Sequence, residues 1–142
     1  MKKIIPILFV FFLIYGYANK EEILIPTDAI RFRVIANSND EIDQEVKMKV
    51  KEAIEQEVNK LMLEAKNSEE AKKLINENME HIQQIVNQYT TDNKISFGVN
   101  YFPEKEYHGV TYPSGEYESL VITLGNGVGN NWWCVMFPPL CL

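Results

Sequence analysis

Apolar and polar positions alternate from Ala29 to Ile35, with Ile30, Phe32 and Val34 on one side and Arg31, Arg33 and Ile35 on the other. A period of two with one clearly apolar side predicts a strand with one buried face. Asn37-Ser38-Asn39-Asp40 ends the alternation, and Ser38 with Glu41 has the spacing of a capping box, in which two orphan backbone donors are satisfied reciprocally. The period then becomes helical. Ile42, Val46, Val50, Ile54, Val58, Leu61 and Ala65 mark one stripe, while Asp43–Lys47 and Glu45–Lys49 stand four apart on the outer side. Asn67-Ser68 interrupts that stripe, and Ala71, Leu74, Ile75, Met79, Ile82, Val86 and Tyr89 mark a second one. Two helices joined by so short a turn pack as an antiparallel hairpin; one long helix through Asn67 is the alternative.

The composition changes after Asn93, beyond which lie nine of the sixteen aromatic residues. Ile95, Phe97, Val99 and Tyr101 alternate with Ser96, Gly98 and Asn100 and predict a second strand. Pro103 to Gly115 reads as a loop, and Leu120, Ile122 and Leu124 as a third strand. Gly125 to Asn131 reads as a long hairpin connection to a fourth strand, Trp132 to Met136, which Pro138-Pro139 stops. The order strand-helix-helix-strand-strand-strand predicts an α+β two-layer sandwich, with a helical hairpin packed on a four-stranded, largely antiparallel sheet.

The amino terminus follows a different rule. Lys2 and Lys3 precede an uncharged, mostly apolar run from Ile4 to Tyr17, and Gly16-Tyr17-Ala18 supplies a small-x-small cleavage pattern. Fourteen helical residues span roughly 21 Å, short of the roughly 30 Å hydrocarbon core. Residues 1–18 are therefore expected to be a signal peptide, with an uncleaved anchor as the alternative. Residues 19–28 form a polar lead-in and 29–142 a single domain. The expected destination is outside the cytoplasm.

Charge and candidate chemistry narrow the function. Fourteen Lys+Arg against twenty Asp+Glu give a formal charge of −6, which argues against nucleic acid, because phosphate binding needs a concentrated basic face. Gly125, Gly127 and Gly129 lack the lysine and the following helix of a phosphate loop and read as a turn. His81 and His108 have no metal-ligand spacing. A thiol nucleophile at Cys134 with His108, or paired carboxylates at Glu116 and Glu118, can be drawn for an exported hydrolase, but solvated surface groups are the more ordinary reading. An extracytoplasmic ligand-binding module is a further class.

The sharpest feature is the segment from Leu120 to Leu142, which runs 23 residues without a charge. Its glycines and prolines forbid a spanning helix. Alternation sends Trp132 and Trp133 to opposite faces, so one indole sits outside the core layer, either exposed to a partner or under the tail folded back over it. Val135 and Phe137 share the Trp133 face by spacing, and Cys134 and Met136 the Trp132 face, which assigns Trp133 to the core and Trp132 to a partner surface. Trp132, Trp133, Phe137, Pro138 and Pro139 are the candidate partner-binding residues, tryptophan being enriched where binding energy concentrates. Cys134 and Cys141 close an eight-residue loop. In an exported protein they are expected to pair, contributing roughly 2–2.5 kcal/mol through chain entropy; two buried thiols are the competing state.

Three blocks carry a resemblance. Ile30-Arg31-Phe32-Arg33-Val34-Ile35-Ala36-Asn37-Ser38-Asn39-Asp40, continuing through Asp43-Gln44 and Lys47-Met48-Lys49-Val50, resembles the opening motif of the stage II sporulation protein R family. Tyr112-Pro113-Ser114-Gly115-Glu116-Tyr117-Glu118-Ser119-Leu120 is similar to its middle block, and Asn131-Trp132-Trp133-Cys134-Val135-Met136-Phe137-Pro138-Pro139-Leu140-Cys141 to its closing motif. Family members commonly run on past the position of Cys141. The resemblance implies a signal made in the forespore and exported into the space between forespore and mother-cell membranes. Its partner there would be a membrane-embedded aspartic protease of the mother cell, which matures a sporulation sigma-factor precursor. It implies no catalytic residues, cofactor, metal or small-molecule substrate.

Overall fold

The structure is a computed structural model that describes residues 28–107 and 110–140, together with Val10, Ile14, Tyr15 and the pair Ile23–Leu24. The expected signal peptide, 1–18, therefore falls almost wholly outside the described residues, as do His108 and Cys141. In chain order the elements are β1 (Ile23–Leu24), β2 (Ile30–Ile35), α1 (Glu41–Glu64), α2 (Ser68–Glu77), α3 (Met79–Asn87), β3 (Asn93–Phe102), β4 (Lys105–Tyr107), β5 (Val110–Tyr112), β6 (Gly115–Leu124) and β7 (Asn131–Phe137). The α+β architecture and its element order follow the sequence pattern.

The main sheet has the order β3-β6-β2-β7. β3 and β7 run antiparallel to their neighbours, but the central pair β2–β6 is parallel, so the sheet is mixed. The expected glycine hairpin is corrected by this order, because β6 and β7 are not neighbours and their connection crosses the end of β2. Main-chain bonds hold the crossing: Val128 N–H donates to Asn37 O at 3.2 Å and Gly129 N–H to Ala36 O at 2.9 Å. Asparagine side chains complete it, Asn37 Oδ1 accepting from Asn126 N–H at 2.8 Å and Asn39 Oδ1 from Asn130 N–H at 2.7 Å. Gly127 adopts φ +63°, where a side chain would be strained and would crowd Thr123.

The start of α1 is held by a different device from the expected capping box. The residue before the helix is Asp40, whose side chain makes no cap bond. Asp43 Oδ2 instead accepts from Ser38 Oγ at 2.6 Å and Asn37 Nδ2 at 2.8 Å. With Asp43 engaged there, the expected Asp43–Lys47 pair does not form. Buried Lys47 donates to Gln44 Oε1 at 2.7 Å and to Asn130 O at 3.3 Å, whereas Glu45–Lys49 closes at 2.8 Å as the spacing predicts.

The helical hairpin bends at Asn67, not through it. Asn67 Oδ1 accepts from Glu70 N–H at 2.9 Å and Glu70 Oε2 from Lys66 N–H at 2.8 Å, a reciprocal cap that starts α2. Asn78 divides the second helix where one was expected, its Nδ2 donating to Leu74 O at 2.7 Å. Val50, Ile54, Val58 and Met62 from α1 meet Ala71, Ile75, Ile82 and Val86 from α2 and α3. These pack on Ile30, Phe32, Val34, Leu120, Ile122 and Leu124, the residues that alternation placed on one side of β2 and β6. Ile42 is the exception in the α1 stripe, at 74% exposure in the first turn of the helix.

Pro103 to Gly115, expected as a loop, contains β4 and β5, and the expected polar lead-in contributes β1. Together they form a small second sheet of order β1-β5-β4. These strands are two or three residues long, too short for any period to show in the sequence.

Candidate functional site

The side of the main sheet away from the helices carries different chemistry. Pairing of β2 with β7 sets Arg33 opposite Trp133 and Arg31 opposite Val135, and pairing with β6 sets Arg31 opposite Ser119. Arg31 is 1% exposed. Its guanidinium carbon lies 4.4 Å from the Phe102 ring centre, 4.9 Å from Tyr112 and 4.8 Å from Tyr117. The Nε and Nη1 atoms have no hydrogen-bond partner. Burial pushes the Arg31 pKa down from its ordinary value, while nearby Tyr117 and Tyr112 push it up. Ring quadrupoles thus take over part of the work of a counter-ion.

Tyr117 is held in this cage by its hydroxyl, which donates to Pro113 O at 2.7 Å. Phe102 meets Tyr117 edge-on at 6.0 Å and Trp133 at 5.3 Å, so the rings run continuously from the cage to the tryptophan. Arg33 lies over Trp133 with its guanidinium carbon 4.3 Å from the ring centre, and its Nε donates to Asn131 Oδ1 at 3.3 Å. Burial lowers the Arg33 pKa from its ordinary value. Lys105 Nζ approaches the same ring to 5.3 Å. Lys105, Tyr112, Asn131, Trp132 and Trp133 line a half-open cleft of about 190 Å³.

The two tryptophans do lie on opposite faces, but their assignment is reversed from the expectation. Trp132 packs on the helix-side core, edge-on to Phe32 at 5.7 Å and under Lys51 of α1 at 4.7 Å. Trp133 stands on the cationic side. The inversion has a cause in register: the pairing of β2 and β7 shifts between Ile30 and Arg31, so Phe137 pairs with Ile30 and joins the helix-side core instead of the Trp133 face. Strict alternation cannot anticipate a bulge. Pro138 is half-buried and Pro139 exposed, following a cis Phe137–Pro138 bond.

The residues weighed for catalysis are dispersed. Cys134 is disulfide-bonded and buried, which removes it as a thiol nucleophile; the other cysteine of the chain, Cys141, lies outside the described residues. Glu118 points to the helix side and pairs with Lys72 Nζ at 3.7 Å, while Glu116 is exposed. His81 lies 3.4 Å from Glu57 on the helix surface. Among the described residues no cluster of three His, Cys, Asp or Glu side chains could hold a metal, and no helix is long and apolar enough to cross a membrane.

The cage and the cleft draw on residues far apart in the chain: Arg31 and Arg33, Tyr112 and Tyr117, Asn131 and Trp133. The family model described as Stage II sporulation protein R (spore_II_R) matches residues 26–142, a span that contains all of them. The chain belongs to this family. It is thus a sporulation protein. A curated relative, Stage II sporulation protein R of Bacillus subtilis (strain 168), is 37% identical over 130 residues, which cover 87% of this chain and 58% of that protein. The chain therefore spans less than two thirds of that relative's length. No solved structure matches the chain.

The sequence pointed to Trp133 but not to its company. Arg31 and Arg33 sit on the polar side of an alternating strand, where solvation is the ordinary reading, and Phe102 and Lys105 border a stretch read as loop. Only the register of β2 against β6 and β7 brings them together. Their signal in the sequence is two arginines inside a strand pattern, a position where charge is unusual unless it is covered.

Proposed function

We propose that this family member is an exported, non-catalytic signal passed from the forespore into the space between the forespore and mother-cell membranes. There it activates a membrane-embedded aspartic protease of the mother cell, which processes a sporulation sigma-factor precursor. One observation carries the reading: residues of the three sequence blocks that carry the resemblance converge on one face, with permanently charged guanidiniums stacked on Tyr112, Tyr117 and Trp133. Arginine remains protonated across the physiological range and is a poor proton-transfer group, whereas arginine and tryptophan dominate the energetics of protein interfaces. That chemistry suits recognition.

Activation of a protease by such a ligand requires that it bind the active state more tightly than the inactive one. Co-expression of the full chain with its candidate protease and the precursor, in a host lacking all three, tests the reading. Precursor cleavage that depends on this chain is the expected result. Cleavage that proceeds equally without it, or fails with it, overturns the proposal. An exported hydrolase is tested in the same strains, since Glu116→Gln and Glu118→Gln would each abolish an enzyme and leave a signal working.

A further inference from the structure

We infer that the cleft beside Trp133 is a docking site for a carboxylate side chain on an extended acidic segment of a partner protein. The inference deepens the reading above and rests on it only for the partner being a protein.

Charge pairing supplies the first argument. On the helices Lys49, Lys51, Lys60, Lys72 and Lys73 each reach a carboxylate. On the opposite side of the sheet Arg31, Arg33 and Lys105 reach none among the described residues; they lie on aromatic rings instead. In a chain with a formal charge of −6, that side gathers three cations that make no ion pair among the described residues, although Glu104 and Glu106 flank Lys105 in sequence. Such a patch attracts an acidic partner and fixes its register.

Donor bookkeeping supplies the second. Arg33 can only donate, so the atom of Asn131 facing its Nε must be the amide oxygen, as the 3.3 Å contact has it. The Asn131 amide is thereby oriented, and its N–H donors make no hydrogen bond among the described residues at the lining of the cleft. Lys105 adds an ammonium at the rim, and the Trp133 indole adds an apolar wall for the methylenes of a glutamate or its neighbour. About 190 Å³ accommodates one side chain rather than a whole ligand. Anionic membranes and nucleic acids call for broad clusters of accessible basic residues. Here one of the three cations is sealed in its cage, leaving Lys105 on the lining of a single-residue cleft and Arg33 stacked on its Trp133 wall, which fits a peptide carboxylate.

The probes are short blocked peptides carrying one central glutamate between leucines, the matching glutamine peptides, and phosphatidylglycerol vesicles, each titrated against the full chain. The glutamate peptide is expected to bind saturably, and the glutamine analogue roughly tenfold more weakly. Lys105→Gln should weaken the glutamate peptide by a similar factor with an unchanged melting temperature, and Lys105→Arg should restore it. Equal binding of both peptides, an unaffected Lys105→Gln variant, binding of vesicles alone, or no binding of any probe overturns the inference. In the co-expression strains, cleavage that survives Lys105→Glu unchanged removes the docking site and leaves the signalling function standing. Failure of the unmodified chain to promote cleavage removes the signalling function, and the peptide titrations still decide the cleft.

Discussion

The two sides of the main sheet share the same four strands and solve different problems. On the helix side, Ile30, Phe32, Val34, Leu120 and Ile122 meet an aliphatic layer from α1 to α3, and the charges stay outside in helical pairs. On the other side the alternate residues of the same strands are Arg31, Arg33, Tyr117, Ser119 and Trp133, covered in part by Tyr112 from the small sheet. The first side is a core made by subtracting apolar area from water. The second is made from oriented charges and ring faces. A strand of six residues can therefore serve the aliphatic core with one set of side chains and, in the proposed function, recognition with the other.

The largest expected effect tests the helix side. Ile54→Ala, at a fully buried position where three elements meet, should cost about 2–5 kcal/mol in urea unfolding and leave little folded protein. Next is the tryptophan pair. Trp132→Ala should lower stability by about 2 kcal/mol or more, since its indole fills the seam between Phe32 and Lys51. Trp133→Ala should lower the melting temperature less and reduce precursor cleavage more. Thermal melts beside cleavage assays on the two variants would settle it, and equal losses in both assays would erase the distinction between the sides.

Arg31→Met sharpens the comparison from the other direction. A buried guanidinium with two unpartnered nitrogens pays for desolvation that three rings only partly offset, so an unbranched apolar residue should change stability by no more than about 1 kcal/mol. A loss as large as that of Ile54→Ala would make the cage a second core. The smallest effect lies at the end of the sheet, on neither side. Ser38 first, then Asn37, hold the Asp43 carboxyl below its ordinary pKa by hydrogen bonds. A depressed folded pKa contributes stability that is complete above the ordinary carboxylate range, near about 4, and is lost as pH falls through the lower folded value. Asp43→Asn should lower the melting temperature slightly at neutral pH and flatten the acid limb, so that in pH-dependent melts the two proteins converge at low pH.

How much of this was legible depended on the period of the pattern. The α1 stripe, the start of α2 at Asn67 and the apolar side of β2 could be read because each repeats over several turns or pleats. Asp43 could not be assigned correctly, since Lys47 at four residues' distance and Ser38 at five compete for it, and the choice rests on Asn130 arriving from the other end of the chain. The parallel pairing of β2 with β6 was equally invisible, because alternation fixes which side a residue takes and says nothing of strand direction. The site was half legible: the double tryptophan announced itself, but one bulge near Ile30 decided where Phe137 went, and Arg31 and Arg33 needed their partners in register before they meant anything.

The position of β2 also dictates when the protein can fold. It comes first in the main sheet yet lies between β6 and β7, pairing Ile30 with Glu118 and Ile35 with Asn131, so its neighbours are synthesised long after it. Contacts that span most of a chain form slowly and late. While β7 is still in a ribosome or a translocation channel, the helices have no completed sheet to rest on. In the proposed export, the chain would meet the membrane still open and threadable, and its main sheet would close only after β7 is released on the far side.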